Sequence, residues 1–274
     1  MNRDTGSDCI WKVTATRSGV LDRARTLLVL LASIAWTVTP SFGAEFPQLR
    51  GPYLGQTPPG DNAVVFAPGI IKPADGFHST VVFNHSGDTA CWTEMAHGRT
   101  WCSHRTGDLW SAPEPLPFDQ EYGVREPFFA RGDGRLYYLS RRPLEHDPVT
   151  RERIWFVERI DGASWSEPQV IDESVAAHPT HWQFSLTAGG DLYFTSEVAE
   201  VRGKQDIYVA RLRDRGFSNP RSAGSNVNSD QRDFCPFIAP DESFLIFDRS
   251  VPEEKGRSDL LISFRDPEGR WTCV

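Results

Sequence analysis

Four polar side chains hold related positions in a repeating sequence and could act together. When the repeated segments are aligned on their turns, His78, His181 and Asp233 share one position, and Glu126 falls two residues after it. Residues two apart on a strand point to the same side, so Glu126 would join the other three. Such a set of imidazole and carboxylate groups could hold a cation or a polar ligand. The alternative is that the four are solvated loop residues without a shared ligand.

Two of these residues also allow enzyme chemistry. Glycoside hydrolases use two carboxyl groups about 5–10 Å apart, and Glu126 and Asp233 are the candidate pair. Arg125, Arg141 and Arg142 could bind a substrate carboxylate, but the sequence does not show how they are arranged. The chain has no Gly-x-Ser-x-Gly nucleophile motif, no histidine-glutamate zinc motif and no phosphate-binding glycine loop. We therefore expect a binding module without a catalytic residue or a cofactor. A carbohydrate-active hydrolase or lyase is the alternative.

The elements that would position these residues form a repeat. Its clearest marker is an aromatic residue, a hydroxyl residue, a variable position and proline. Copies occur at Trp110-Ser111-Ala112-Pro113, Trp165-Ser166-Glu167-Pro168 and Phe217-Ser218-Asn219-Pro220, with a partial copy at Trp271-Thr272. The aromatic residues are 55, 52 and 54 positions apart by subtraction of their numbers. A constant period of this length is typical of repeat architectures.

Each repeat reads as short strands joined by polar turns. Asp133-Gly134 precedes Leu136-Tyr137-Tyr138, and Gly189-Gly190-Asp191 precedes Leu192-Tyr193-Phe194. Aromatic and β-branched residues favour strands, while Gly, Asp and Pro favour turns. About four strands in some fifty residues is typical of a β-propeller blade. A β-sandwich also has many short strands, but it gives no reason for a constant period.

One copy of the turn and strand resembles a known repeat family. Pro240-Asp241-Glu242-Ser243, followed by Phe244-Leu245-Ile246-Phe247, is similar to the TolB-like, WD-type β-propeller repeat. The lead-in Tyr53-Leu54-Gly55-Gln56-Thr57-Pro58-Pro59-Gly60 resembles the opening of exported bacterial propellers of this group. The resemblance covers about residues 53–273 and implies an all-β propeller. It does not imply a particular function, because such repeats serve scaffolding, binding and enzyme-associated roles. In a propeller the four polar residues would lie near the mouth of the central channel.

The first 44 residues are expected to be a signal peptide with a long basic front end. The apolar run from Leu27 to Val38 is too short for a comfortable membrane span, and Ser41-Phe42-Gly43-Ala44 supplies small residues for cleavage. The alternative is an uncleaved N-terminal anchor. We expect an exported, periplasmic or extracellular protein that is not transmembrane after signal cleavage.

The remaining chain divides into an arm and four blade units. Residues 45–76 are rich in Pro and Gly and read as an extended arm, in which residues 62–72 either add a strand to a blade or pack on the first blade. The blade units are expected near residues 77–118, 121–171, 178–224 and 231–274. The last unit stops inside its marker, so we expect an incomplete, truncated propeller. Uncovered sheets predict poor solubility or oligomers for residues 45–274.

The cysteines and the net charge restrict the partners further. Cys91 and Cys102 flank a turn, and a hairpin there would place them opposite each other, so they are a disulfide candidate; two free buried thiols are the alternative. The cysteines lack the short paired spacings of a zinc site, so we expect no metal. A net charge of −8 argues against nucleic acid as a partner. The expected partner is a protein or a glycan bound at the loop face.

Overall fold

The computed structural model describes residues 46–71, 81–95, 97–118, 120–130, 132, 134–160, 164–197, 205–214, 216–251 and 257–273. The predicted signal peptide and His78 lie outside this range. The described chain is all-β apart from one 3₁₀ turn at Tyr53–Gly55 and helix α1 at Glu173–Ala176. Its strands form the four-bladed propeller arrangement expected from the sequence.

Blades 1 and 2 are antiparallel sheets built from consecutive strands. The strands of blade 1 are β1 (Val82–Phe83), β2 (Thr89–Glu94), β3 (Arg99–Thr106), β4 (Leu109–Trp110) and β5 (Glu114–Pro115). The strands of blade 2 are β6 (Arg125–Phe129), β7 (Arg135–Ser140), β8 (Arg153–Glu158) and β9 (Gln169–Val170).

Blades 3 and 4 follow the same plan. Blade 3 contains β10 (Thr180–Leu186), β11 (Leu192–Ser196), β12 (Asp206–Ala210), β15 (Arg221–Ser222) and the short hairpin of β13 (Leu212–Arg213) with β14 (Gly216–Phe217). Blade 4 contains β16 (Asp233–Ile238), β17 (Phe244–Ser250) and β18 (Ser258–Phe264).

The blades stack face to face because both faces of the middle strands are apolar. On β7, Leu136 and Tyr138 pack toward blade 1, whereas Tyr137 and Leu139 pack toward blade 3. The same alternation continues in blade 3, where Tyr193 belongs to the cluster shared with blade 4. Since neighbouring strand residues point to opposite faces, blades 2 and 3 each contribute to the two cores that they share with their neighbours.

The repeat marker closes a hairpin at the outer side of each blade. The hydroxyl of Ser111, Ser166, Ser218 or Thr272 accepts a hydrogen bond from a backbone N–H on the preceding strand. In blades 1, 2 and 4 an arginine guanidinium lies over the marker tryptophan, with Arg105, Arg159 and Arg265 over Trp110, Trp165 and Trp271. The hydroxyl and the ring of the marker thus have separate structural roles.

The arm covers the outward face of blade 1. Leu54, Ala67 and Ile71 pack against Trp92 and Trp110. The indole N–H of Trp110 donates to the Gly51 carbonyl at 2.7 Å. Within residues 62–71 the structure has one β-bridge residue, Pro68, and no strand.

Blade 4 exposes the corresponding face. Phe237, Ile262 and Phe264 are about half exposed, at 48, 43 and 51 %, and Leu260 is 72 % exposed. Phe237 lies opposite Ile246, which lies opposite Ile262, so these residues share one side of the sheet. No described residue of another blade covers this surface, which we call the open face.

Candidate functional site

Of the four predicted site residues, the structure describes the side chains of Glu126 and Asp233 and places them in different surroundings. Glu126 lies on β6 and Asp233 at the start of β16. His181 lies on β10, where only its backbone is described, and His78 falls outside the described residues. Their convergence as one ligand site therefore stays a prediction.

Asp233 is an interior ion-pair residue. Its side chain is fully buried, and the Arg249 guanidinium donates to Oδ1 at 2.6 Å. The backbone N–H and the hydroxyl of Ser229 both donate to Oδ2, at 2.7 and 2.8 Å. Both carboxylate oxygens are thus occupied by residues of blade 4 and of the loop before it, as a buried charge requires.

Strand registers show which inner-strand positions correspond. The pairings of β6, β10 and β16 each shift at a β-bulge, and Glu126, Trp182 and Cys235 all have positive φ there, at 48°, 57° and 53°. These three residues are therefore equivalent. Asp233 lies two positions before the bulge residue of its strand, and His181 lies one position before.

Hydrogen bonds to the preceding blade fix two of these bulges. The Glu126 N–H donates to the Thr93 hydroxyl of blade 1 at 3.1 Å. The Cys235 N–H donates to the Thr195 hydroxyl of blade 3, also at 3.1 Å. Contacts between neighbouring blades therefore hold these bulges. The bulges change the direction of the side chains at equivalent positions of the inner strands.

Glu126 is a buried carboxyl group at the junction of two cavities. Its residue is 8 % exposed, and burial raises its pKa to about 7. A hydrogen bond from Gln183 opposes this shift, the negative charge of Glu152 adds to it, and Arg125 opposes it. Near neutral pH this side chain is therefore close to equal amounts of acid and carboxylate.

One of the two cavities, which we call the mouth cavity, is lined by charged as well as apolar side chains and has a volume of about 290 Å³. Its lining includes Met95, Arg125, Glu126, Leu139, Arg141, Glu152, Trp182, Glu197, Gln205 and Arg232. Trp182 is 40 % exposed, so part of its ring is open to a ligand. The residues come from blades 1 to 3 and from the loop before blade 4.

The charged groups of the mouth cavity form two linked sets. Arg125 donates to Glu152 at 3.2 Å, and Arg141 lies 3.8 Å from the same carboxylate. Arg232 donates to the Gln205 amide oxygen at 3.0 and 2.8 Å, while the Gln205 NH₂ donates to Glu197 at 2.6 Å. These contacts fix donors and acceptors around the cavity in defined directions.

The second cavity is the apolar part of the channel, with a volume of about 260 Å³. Residues of all four innermost strands line it, including Phe83, Phe128, Phe184 and Phe237. Glu126 borders both cavities. A ligand in the mouth cavity would thus lie beside both the Glu126 carboxyl group and the apolar channel.

Sequence reasoning found Glu126 and the arginines at 125 and 141, but it missed Trp182, Glu152, Gln205 and Arg232. A signal for the register was present in Glu126-Pro127-Phe128 and Cys235-Pro236-Phe237, whose shared Pro-Phe aligns Glu126 with Cys235. No comparable signal marks the others, because their proximity depends on how separate blades pack.

Within the part of the chain that the structure describes, no three His, Cys, Asp or Glu side chains are grouped as metal ligands. The same part contains no helix of the length and apolarity needed to cross a membrane.

No protein-family model matches the chain, and no curated protein does. Among solved structures, a TolB candidate from Agrobacterium tumefaciens is similar over 71 % of this chain and 60 % of its own, at 12 % identity and a TM-score of 0.48. A candidate 6-phosphogluconolactonase from Bacteroides uniformis is similar over 74 % of this chain and 55 % of its own, at 14 % identity and a TM-score of 0.41.

The endo-arabinase from Bacteroides thetaiotaomicron matches 70 % of this chain and 77 % of its own, at 13 % identity and a TM-score of 0.42. The chain thus spans less than two thirds of the first two structures. The likeness agrees with the TolB-like propeller resemblance of the sequence and concerns the fold alone.

Proposed function

We propose that this protein is an exported propeller that binds a glycan in the mouth cavity. The observation that carries the proposal is the half-open Trp182 ring beside fixed guanidinium, carboxylate and amide groups. An aromatic ring supplies an apolar platform, and the polar groups match a ligand rich in hydroxyls.

The size of the cavity favours a glycan over a protein as the occupant. Ligand pockets of proteins have volumes of about 300–1,000 Å³, and the mouth cavity, with about 290 Å³, lies just below this range. It would accept the end of a sugar chain, whereas a folded protein partner needs a broad surface. Export is supported by the Cys91–Cys102 disulfide, because disulfides persist in oxidising compartments.

A glycan-binding screen tests this proposal. Residues 45–274 would be probed against an array of oligosaccharides, and each ligand found would be titrated against Trp182→Ala. Losing an aromatic stacking platform is expected to weaken binding by about tenfold. Phe264→Ala is the matched control, because it removes another half-exposed aromatic ring, far along the chain in blade 4. Equal affinities for the parent and Trp182→Ala would contradict the proposal.

The enzyme alternative rests on the pKa of Glu126, which burial raises to about 7. A carboxyl group with such a pKa suits a general acid at neutral pH. Asp233 is fully buried in its ion pair, so Glu152 replaces it as the candidate second carboxylate.

Product analysis of the bound glycans tests the alternative. If Glu126 is a general acid, the parent protein cleaves a bound glycan, and Glu126→Gln abolishes cleavage while retaining binding. Intact glycans after long incubation with the parent would contradict the enzyme alternative, and binding would be the only function supported.

A further inference from the structure

Another cavity, which is rich in arginine side chains, lies between blades 3 and 4. Its volume is about 420 Å³, and four arginines contribute to its lining: Arg211, Arg213, Arg221 and Arg265. We call it the arginine groove. It shares no lining residue with the mouth cavity, so it is a separate site.

Two of the arginines form a fixed base. Arg211 donates to Asp191 at 2.8 Å and also contacts Glu242. Arg265 donates to the same Glu242 carboxylate at 2.9 Å and to the Tyr193 hydroxyl at 3.0 Å. The Arg265 guanidinium also lies 3.9 Å above the Trp271 ring. Two carboxylates thus balance these two positive charges and hold them in place.

The other two arginines carry positive charge that the described residues do not balance. Arg221 is exposed on the edge strand β15 and has no carboxylate partner in the described ranges. Arg213 is exposed as well, and its guanidinium donates to the Leu212 carbonyl. This local excess of positive charge occurs on a chain whose net charge is −8.

Two serine hydroxyls line the same groove. Ser218 accepts a hydrogen bond from the Arg211 N–H at 3.0 Å. Ser222 accepts from the Gly224 N–H at 3.2 Å and from the Asn228 NH₂ at 2.9 Å. Because these oxygens already act as acceptors, each hydroxyl has its proton to donate to a ligand.

The equivalent groove between blades 1 and 2 is lined by two arginines rather than four. The pairing of Cys102 with Glu114 on β5 matches that of Val209 with Arg221 on β15, so Glu114 is the counterpart of Arg221. Likewise His104 occupies the place of Arg211, since both backbone N–H groups donate to the marker serine. The repeat architecture therefore does not require arginine at either place.

From this geometry we infer that the arginine groove binds the phosphate or sulfate monoester group of a ligand. Guanidinium groups bind such tetrahedral oxyanions through paired N–H donors, and the serine hydroxyls add neutral donors. Arg211 and Arg265 form the fixed base of the site, and Arg221 supplies the charge that the protein leaves unbalanced.

Inorganic phosphate and inorganic sulfate are the probes for a first test. The melting temperature of the exported chain would be followed against each anion, with chloride at equal ionic strength as the baseline, since a ligand that binds the folded state raises it. We expect saturable stabilisation by at least one of the two anions. No stabilisation beyond that of chloride would overturn the inference.

Charge-neutralising variants locate the binding. Arg221→Gln is expected to weaken anion binding by about tenfold, because it removes a charged hydrogen-bond donor. Arg213→Gln is a second variant, with an expected loss of several-fold. Arg50→Gln is the control, since this exposed arginine, whose guanidinium bonds the Gln48 side chain, lies outside the groove. Wild-type affinity in both groove variants would overturn the inference.

The two anions distinguish the ligand source. Inorganic phosphate gains negative charge between pH 6 and 8, whereas the charge of sulfate does not change. If phosphate binds more tightly than sulfate at pH 8, the ligand group is a phosphate monoester. If sulfate binds equally well or more tightly, the ligand group is a sulfate monoester.

Discussion

Glu126 combines an unusual backbone conformation with an unusual ionisation. Its φ of 48° lies in the left-handed region, which costs a non-glycine residue about 1–2 kcal/mol. The bond from its N–H to Thr93 and the packing of blade 1 against blade 2 maintain that conformation. The same packing buries the carboxyl group and raises its pKa to about 7.

Folding stability should therefore fall as pH rises through the range in which Glu126 loses its proton. The pKa is 4.5 for an ordinary glutamate and about 7 in the folded chain, so the unfolded state releases its proton first. Between these values the folded state binds more protons, and the free energy of unfolding decreases with increasing pH. Relative to wild type, Glu126→Gln should gain stability on the order of 3 kcal/mol at pH 8 and almost none at pH 4.

Urea denaturation of both proteins at several pH values measures this difference. Glu114→Gln, which removes an exposed carboxylate on β5, is the control and should change stability little at either pH. A constant difference between Glu126→Gln and wild type across this range would mean that Glu126 is not buried as described.

The roles of the site residues could be predicted from the sequence to different degrees. Glu126 and Asp233 stood out because they hold related positions in the aligned repeats. The structure places Glu126 in a cavity. Asp233 is instead satisfied by Arg249 and Ser229. A sequence shows that a charged residue would be costly to bury. It does not show which side chain will form the ion pair or hydrogen bond that offsets this cost.

Hairpins set most of the local structure, and the β2–β3 hairpin carries the only covalent link among the described residues. Cys91 and Cys102 are directly opposed in register, with Cα atoms 4.2 Å apart, and they form a disulfide. Both side chains also belong to the core between blades 1 and 2. The link therefore joins the two central strands of blade 1 at the surface that blade 2 covers.

Loss of this disulfide should destabilise the protein by about 3 kcal/mol, because a cross-link between residues 11 positions apart restricts the unfolded chain. Cys91→Ala combined with Cys102→Ala tests this by urea denaturation. Reduction of the wild-type protein should give a similar loss of stability. Cys235→Ala, which removes a free cysteine and keeps both disulfide cysteines, is the control and should lose the same stability on reduction. An unchanged denaturation midpoint after complete reduction would contradict the prediction.

Strands and turns could be predicted from the sequence, whereas the bulges could not. The marker serines and tryptophans act within hairpins of a few residues, so their spacing is visible along the chain. The bulges depend on hydrogen bonds such as that from Cys235 to Thr195, which are 40 residues apart. Contacts between blades have no local sequence period, so nothing in the sequence aligned Trp182 with Glu126, whereas the Pro-Phe that follows both Glu126 and Cys235 does align those two.

The two ends of the blade stack differ in how they are covered. The arm packs its apolar residues on blade 1, and this packing includes Ile71, which is 1 % exposed. The open face of blade 4 instead presents Leu260, Ile262 and Phe264 to solvent. Contiguous apolar surface of this kind favours association.

We therefore expect residues 45–274 to self-associate through the open face. Ile262→Thr combined with Phe264→Thr should reduce association while keeping residues that favour strands. Sedimentation velocity over a range of concentrations measures the change. Val64→Thr with Val65→Thr is the control, because it removes exposed apolar groups from the arm. A sharp monomer of the unmodified chain at high concentration would defeat this prediction.

The covered first blade limits what such association can build. A copy cannot place its open face on the equivalent starting surface of the next copy, because Leu54, Ala67 and Ile71 already occupy that surface. We therefore expect residues 45–274 to form a two-fold pair in which identical open faces meet, rather than a head-to-tail fibre. On this expectation the proline-rich arm limits assembly, and trimming it should allow larger, open-ended oligomers.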